Sequence, residues 1–328
     1  MRILVTGATG FIGVHLVRAL LQKKYHVRVL VRKKTTDLFP ETQFIEECIG
    51  DLTTYEDVVR ATKDCSCIIH AAALVSFKRS DRSLVEQVNV GGTENIIRAA
   101  VQEKVPRVVY VSSAAAIGLP TKEKVLMTEQ ERFSVKQNEG YPESKWRGEK
   151  LVREACNAKN IDAIIVSPST VYGAGGRQGS TAMLVRSLPG KKIIIAPPGG
   201  CSIVTVEDVV SAILLALKQG KTGERYIITG ENISYKKLFV RIHHTITRTN
   251  PFVVTIPNIF FYPCYYGLYV LESLFGSFFP ELMTSQVLYF LFHYRYLDNT
   301  KAQKELGWHP KNDFAKAIRE MYDVAREH

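Results

Sequence analysis

Cysteine is scarce in this chain: six residues, at positions 48, 65, 67, 156, 201 and 264, with no paired spacing among most of them. Such scatter excludes a disulfide framework and fits thiols kept reduced in a cytosolic setting. Cys65-Ser-Cys67 is too short for a redox C-x-x-C, and no second ligand pair accompanies it, so zinc and thiol exchange chemistry are not expected. The eight histidines are dispersed as well, and no metal is expected. The N-terminal residues lack a long apolar run behind Arg2, so no leader is read there and a cytoplasmic placement is expected. Internal repeats, low-complexity tracts and basic runs interleaved with aromatics are all missing, and nucleic acid is not an expected partner. Negative charge is the short side of the balance, 32 acidic against 43 basic residues and a net +11. That excess reads first as a solvated basic surface, and otherwise as a face for an anionic cofactor, an anionic substrate or a membrane.

What is present begins at once. Residues 2–6 are an apolar strand that runs into Gly7-x-x-Gly10-x-x-Gly13 and then into an apolar-periodic helix from about Phe11. Gly7 allows a sharp turn off the strand, Gly10 lets backbone approach a pyrophosphate, and Gly13 lets the helix pack close to the sheet. The free N–H groups and positive end of the helix then face the phosphates. Strands follow at 26–31, 43–47, 67–70, 108–111 and 163–166, with helices over about 54–62, 81–103 and 142–159 between them. On the helix over 81–103, Leu84, Val88, Ile96, Ile97 and Ala100 are expected to face inward. This alternation predicts an α/β fold, a Rossmann-type doubly wound parallel sheet over 1–173, with ligand at the carboxyl ends of its strands. Residues 174–328 are expected to form a smaller substrate-binding part, with some segments returning to the main sheet.

One stretch, 249–271, carries no charge. Its length suits a membrane span, but Pro257, Asn258 and Pro263 argue against a straight one, because each proline removes a helix hydrogen bond. Three readings stand for it: a lid over a substrate pocket, a core or dimer surface, and peripheral contact with a membrane.

Three groups of residues carry chemistry. Strand two ends in Arg32-Lys33-Lys34, where an acidic residue would bind the ribose 2′-hydroxyl of NAD. A guanidinium there grips a 2′-phosphate instead, which favours NADP(H) over NAD(H). Asp51 stands where an adenine amino group could be met, or serves as a helix N-cap. Tyr141-Pro-Glu-Ser-Lys145 puts a phenol and an ammonium on one side of a helix start. The ammonium is expected to lower the phenol pKa and make it a usable proton carrier. Ser113, at the end of strand five, can hydrogen-bond a substrate carbonyl, or merely cap the turn. Asn89, mid-helix among apolar residues, either holds a water or backbone group behind Lys145 or makes a local hydrogen bond.

These residues resemble a family. Thr6-Gly-Ala-Thr-Gly-Phe-Ile-Gly13, Gly50-Asp51-Leu52, His70-Ala-Ala-Ala73, Asn89-Val-Gly-Gly-Thr93, Val111-Ser-Ser113, Tyr141-Pro-Glu-Ser-Lys145 and Pro168-Ser-Thr-Val-Tyr-Gly173 stand in the order of the extended short-chain dehydrogenase/reductases, the epimerase/dehydratase-like branch. Val206-Glu-Asp-Val209 and Glu305-Leu-Gly-Trp-His-Pro310 carry the resemblance to the C-terminus. Within the family the chain is most similar to dihydroflavonol 4-reductase-like, 3β-hydroxysteroid dehydrogenase-like and hopanoid-associated sugar epimerase-like proteins. The resemblance implies a catalytic Ser113, Tyr141 and Lys145 supported by Asn89. It implies dinucleotide contacts from Gly7, Thr9, Gly10, Phe11, Ile12, Gly13, Arg32, Asp51, Leu52, Ala71, Ala72, Ala73, Tyr141, Lys145, Pro168 and Ser169. It also makes a homodimer through the helices over 81–103 and 142–159 an expectation.

The chain departs from the family at Ser167-Pro168, often Arg-Pro, and at Ala116-Ile117-Gly118, often Val-Tyr-Gly. The second departure removes a tyrosine common near nucleotide sugars. The expected activity is therefore NADP(H)-dependent reduction of a bulky apolar ketone, or oxidation of the alcohol, with the aromatic 252–296 region around the substrate. The alternatives are a nucleotide-sugar epimerase or dehydratase with retained NAD, whose diphosphate Arg177 could hold, and a dinucleotide-binding regulator without catalysis.

Overall fold

A computed structural model describes residues 1–35, 38–39, 42–118, 126–133, 140–175, 180–275, 280, 283–311 and 313–326. Seven parallel strands make the main sheet: β1 (Arg2–Thr6), β2 (His26–Val31), β3 (Ile45–Ile49), β4 (Cys67–His70), β5 (Val108–Val111), β6 (Ala163–Pro168) and β10 (Arg225–Ile228), in the order β10-β6-β5-β4-β1-β2-β3. The order reverses at β1, so the crevice beside the Gly7 turn is the switch point where such sheets take ligands. Central strands read as continuous apolar runs because both faces are covered. Ile3, Leu4 and Val5 are fully buried, with α1 (Phe11–Gln22) on one face and α4 (Gly92–Gln102) and α5 (Tyr141–Asn157) on the other.

The helix expected over 81–103 is not one helix. A 3₁₀ turn (Arg79–Asp81), α3 (Arg82–Glu86) and a π-helical turn (Gln87–Gly91) precede α4. Each residue advances an α-helix by about 100°, so the wider π turn rotates the segment before it. Val85 is therefore buried and Leu84 is 52% exposed, the reverse of the uniform pattern. Strand β3 starts two residues later than its apolar pattern implies, after a 3₁₀ turn over Thr42–Phe44.

Beyond β6 the chain leaves the main sheet and returns. β7 (Thr170–Tyr172), β9 (Gly200–Thr205), β11 (Glu231–Ser234) and β13 (Tyr294–Arg295) form a second sheet, and β8 (Ile193–Ala196) pairs with β12 (Phe252–Thr255) in a third. Between these, α7 (Val206–Gln219) packs on α1, and β10 completes the main sheet. Later, α11 (Thr300–Leu306) and Trp308 close over α7. The buried indole N–H of Trp308 donates to Asp208 O and Ser211 Oγ, both at 3.0 Å. Trp308→Ala removes that anchor and leaves a cavity, so urea unfolding should show a loss of about 3–5 kcal/mol; a change under 1 kcal/mol would mean that the segment adds nothing to the core.

Candidate active site

The glycine loop is fixed by contact distances. Gly7 has φ of +72°, and a Cβ there would lie 2.6 Å from Ala72 N. A Cβ on Gly13 would lie 1.9 Å from Gly7 O, and one on Gly10 3.2 Å from the same oxygen. The first turn of α1 has no side-chain cap and no acidic residue, so its N–H donors stay open to an anion. Thr9 and Gly10 are exposed at this turn, and Phe11 and Ile12 half-buried. Ala71 N–H donates to Thr6 O at 3.2 Å and Ala72 N–H to Thr6 Oγ1 at 3.3 Å, which brings the Ala71-Ala72-Ala73 segment to the loop.

The adenosine side is less open than its sequence implies. Arg32, Lys33 and Lys34 are exposed after β2, and Glu47 of β3 ties down the following Thr35 through its backbone N–H and hydroxyl. Asp51 neither caps a helix nor stands free. Its carboxylate closes an Asx turn on Thr53, accepting from the N–H at 2.8 Å and the hydroxyl at 2.7 Å. Those bonds hold its pKa below the usual carboxylate range, and the Arg32 charge adds to them. Leu52 packs on Gly92, where a Cβ would meet Leu52 Cδ2 at 2.6 Å.

Between the loop and helix α5 runs a buried chain of polar groups. Thr6 Oγ1 lies 2.6 Å from His70 Nδ1, and His70 Nε2 lies 3.1 Å from Thr93 Oγ1. Thr93 donates to Asn89 O at 2.6 Å. Burial, with a smaller push from the Lys145 charge, drives the His70 pKa down to about 3, so the ring is neutral. The directions are then forced: Thr93 has spent its proton and must accept from Nε2–H, which leaves Nδ1 to accept from Thr6. Asn89 continues the chain. Its side chain accepts from Leu74 N–H at 2.7 Å and donates to Leu74 O at 3.0 Å and to Ser144 Oγ at 2.9 Å. Asn89 therefore holds the Leu74 backbone and the hydroxyl of Ser144, the neighbour of Lys145.

Tyr141 and Lys145 occupy the first turns of α5, both buried. The Tyr141 phenol lies by Ser113, whose Oγ accepts from Ala115 N–H at 3.1 Å and so caps the 3₁₀ turn Ala114–Ile117. Of the two readings of Ser113, the turn cap is the one these bonds show. The expectation that an ammonium lowers the phenol pKa is corrected. Burial raises the Tyr141 pKa, and Ser113 pulls it back only in part. Lys145 is itself pushed down to about 7 by burial, against the pull of Glu149. Its Nζ donates to Val111 O at 2.9 Å and lies 4.3 Å from the Tyr110 ring centre.

At the carboxyl ends of β5 and β6, Ser112 Oγ and Ser169 Oγ are buried without a protein partner. Such orphans are what a bound polar ligand satisfies. Together with the open α1 turn and the glycine cradle, they fit a dinucleotide laid across the strand ends, beside Pro168 at the end of β6.

Other side chains here escaped the sequence reading. Glu149 is buried and accepts from Ser167 Oγ at 3.1 Å and from Arg225 Nη1 at 2.9 Å. Phe77 sets its ring 5.8 Å from that of Tyr141 and borders a cavity of about 250 Å³ lined by Gly140, by Tyr265, Tyr269 and Tyr289, and by the charged side chains of Lys78, Arg79, Arg82 and Glu272. Tyr265 and Tyr269 belong to α9 (Phe261–Phe275), and Tyr289 to α10 (Ser285–Phe292). Arg295 lies with its guanidinium 4.3 Å over the Phe290 ring, and its Nη2 reaches Ala114 O at 3.5 Å. No carboxylate pairs with it among the described residues, and its Nε has no partner. A lone arginine inside the aromatic run 289–296 was the available signal. Arg177 lies outside the described residues.

Known proteins share this arrangement. The sequence model of the NAD dependent epimerase/dehydratase family matches residues 3–229. A putative dihydroflavonol 4-reductase of Synechocystis sp. is 33% identical over 248 residues, 74% of this chain and 71% of that protein. Sterol demethylase protein B of Methylococcus capsulatus is 29% identical over 264 residues, 79% of each chain. Among solved structures, gox2253 superposes with a TM-score of 0.84 at 31% identity, covering 99% of this chain and 98% of that one. The UDP-glucose 4-epimerase of Thermotoga maritima has a TM-score of 0.77 at 20% identity, covering 100% and 99%, a likeness of fold. Its sequence, its switch-point glycine loop and its parallel sheet make this chain a member of the NAD-dependent epimerase/dehydratase family, the extended short-chain dehydrogenase/reductases.

Proposed function

We propose that the chain is an NADP(H)-dependent carbonyl reductase or alcohol dehydrogenase for a bulky apolar substrate, of flavonoid-, sterol- or terpenoid-like shape. The observation that carries this reading is the Tyr141 phenol, which lies by Ser113, is kept protonated by burial and packs against Phe77 at the edge of a cavity where Tyr265, Tyr269 and Tyr289 stand with basic side chains. A bound dinucleotide supplies hydride there. The chain supplies the rest. Ser113 donates to the substrate oxygen and polarises the carbonyl, and Tyr141 delivers its proton to that oxygen as negative charge develops. Lys145 holds the ribose and, when charged, steadies the phenolate left behind. Pro168 and Ser169 border the nicotinamide side, and Arg32 grips the 2′-phosphate.

The second reading, a nucleotide-sugar epimerase or dehydratase with retained NAD, is favoured by Arg295. A half-buried guanidinium without a carboxylate partner among the described residues, reaching the carbonyl of Ala114 next to Ser113, is suited to an anionic substrate group. A relative from Methanocaldococcus jannaschii, 30% identical over 257 residues, 74% of this chain and 82% of that protein, is named a putative UDP-glucose 4-epimerase.

Three measurements test the first reading. Tyr141→Phe should abolish ketone reduction, a loss on the order of 10²–10⁴-fold, while NADPH still quenches protein fluorescence; undiminished turnover would exclude Tyr141 as the proton donor, and stoichiometric NAD in the purified protein would favour the epimerase. Arg32→Ala should raise KM for NADPH about tenfold or more, as expected for a lost charge-assisted contact, and leave NADH unaffected; an equal rise for both would remove the 2′-phosphate contact. The pH profile has a worked sign. Tyr141 stays protonated through neutrality because its pKa is raised, so it imposes no limb there on reduction. Lys145 is charged only below about 7. Reduction kcat/KM should therefore fall as pH rises through about 7, and the limb should be missing in Lys145→Met, with a profile unchanged by that substitution counting against the assignment.

A further inference from the structure

We propose that one face of the C-terminal half is a monotopic docking surface for an anionic lipid bilayer. It is formed by the outer face of the β8–β12 pair and the solvent face of α9. The β8–β12 register sets Ile193 against Phe252 and Ile195 against Val254. These four side chains are 63, 69, 67 and 45% exposed, so a two-stranded sheet turns a continuous apolar face to solvent. The chain runs on from β12 through Ile259, 79% exposed, and Phe260 into α9.

Helix α9 is apolar nearly all round. Its inner face is the i, i+4, i+7, i+11 row Phe261, Tyr265, Leu268 and Glu272, turned to α10, where Phe261 meets Tyr289 and Phe292 at ring distances of 5.7 and 5.4 Å. Its outer row is Tyr262, Tyr266, Tyr269, Val270 and Leu274, all exposed. A helix apolar on both faces and covered on one is a helix with a missing neighbour.

Two observations make that neighbour a bilayer rather than a second copy. The first is charge. The stretch 249–271 carries none, and the one acid of α9, Glu272, is buried and bound to the Ser285 N–H and hydroxyl at 2.8 Å each. Among the described residues, the charges that lead into the two strands are basic and exposed: Lys191 and Lys192 lead into β8, and Arg248 stands ahead of β12. A two-fold pairing of this face with itself would press those cations together, whereas anionic headgroups attract them. The second is composition. The outer row of α9 is tyrosine-rich, and a tyrosine ring suits the headgroup level, where its body is dry and its hydroxyl wet.

At 15 residues α9 spans about 22 Å, and among the described residues no helix is long and apolar enough to cross a membrane. The contact lies in the interface plane. Tyr269 is shared between this face and the cavity beside Tyr141. If the reading of an apolar substrate holds, that substrate enters from the lipid side; the docking itself does not depend on it.

Sedimentation of the full chain with vesicles tests the surface. The protein should pellet with phosphatidylcholine vesicles containing phosphatidylglycerol, less with phosphatidylcholine alone, and less again at high salt. The pair Ile259→Glu and Leu274→Glu should abolish pelleting, and Lys191→Glu with Lys192→Glu should weaken it about tenfold on the anionic vesicles. Val101→Glu, at an exposed apolar position on α4 away from this face, should pellet like wild type. Dinucleotide binding, followed by fluorescence, should be equal in all of them, which separates lost docking from lost folding and from failure of the functional reading. Wild-type protein left in the supernatant with both vesicle types would overturn the proposal. So would a wild-type dimer that Ile259→Glu turns into a monomer without any vesicle binding.

Discussion

The structure depends on a hydrogen-bonded chain that has one allowed direction. Thr6 stands at the end of the strand that feeds the glycine loop, and Ser144 sits between Tyr141 and Lys145. Between them run His70, Thr93 and Asn89, each spending its donors and acceptors on the next. Burial keeps the imidazole neutral, so no link can reverse without stranding a proton. The π turn over Gln87–Gly91 belongs to the same constraint, because it carries Asn89 inward to meet both Leu74 and Ser144. The glycine loop and the first turns of α5 are thus held at one spacing by the interior.

What was legible in the sequence follows the kind of physics involved. The glycine loop was legible because a Cβ 1.9 Å from a carbonyl oxygen leaves no substitute for glycine at position 13. The Tyr141–Lys145 pair was legible because one helical turn sets its spacing. The parallel, doubly wound sheet followed from the alternation of strands and helices. The titration of Lys145 was not legible: it depends on burial and on Glu149, whose other partner, Arg225, arrives from a distant strand. Arg295 was missed for the same reason, since 181 residues separate it from the Ala114 carbonyl it approaches. The phase break in the helix over 81–103 was hidden because an apolar pattern does not announce a wider turn.

Charge is distributed with the same economy. Acidic groups near the site are drawn inward or spent: Glu149 on Arg225, Glu272 on Ser285, Asp51 on Thr53 and Glu47 on Thr35. Basic groups at the surface are left open, at Arg32–Lys34 and at Lys191-Lys192. Part of the net +11 thus stands on faces suited to anions.

The interleaving of the chain has a mechanical consequence. After β6 the backbone passes to the second sheet, comes back as α7 and β10, leaves again through β11, β12 and α9, and returns as α11 and Trp308. Parts stitched together by so many crossings have no single hinge about which to swing apart. The helices that border the cavity, α9 and α10, belong to the last of these excursions. The excursion that carries them and the scaffold that carries Ser113, Tyr141 and Lys145 are thus separate stretches of chain joined by the core.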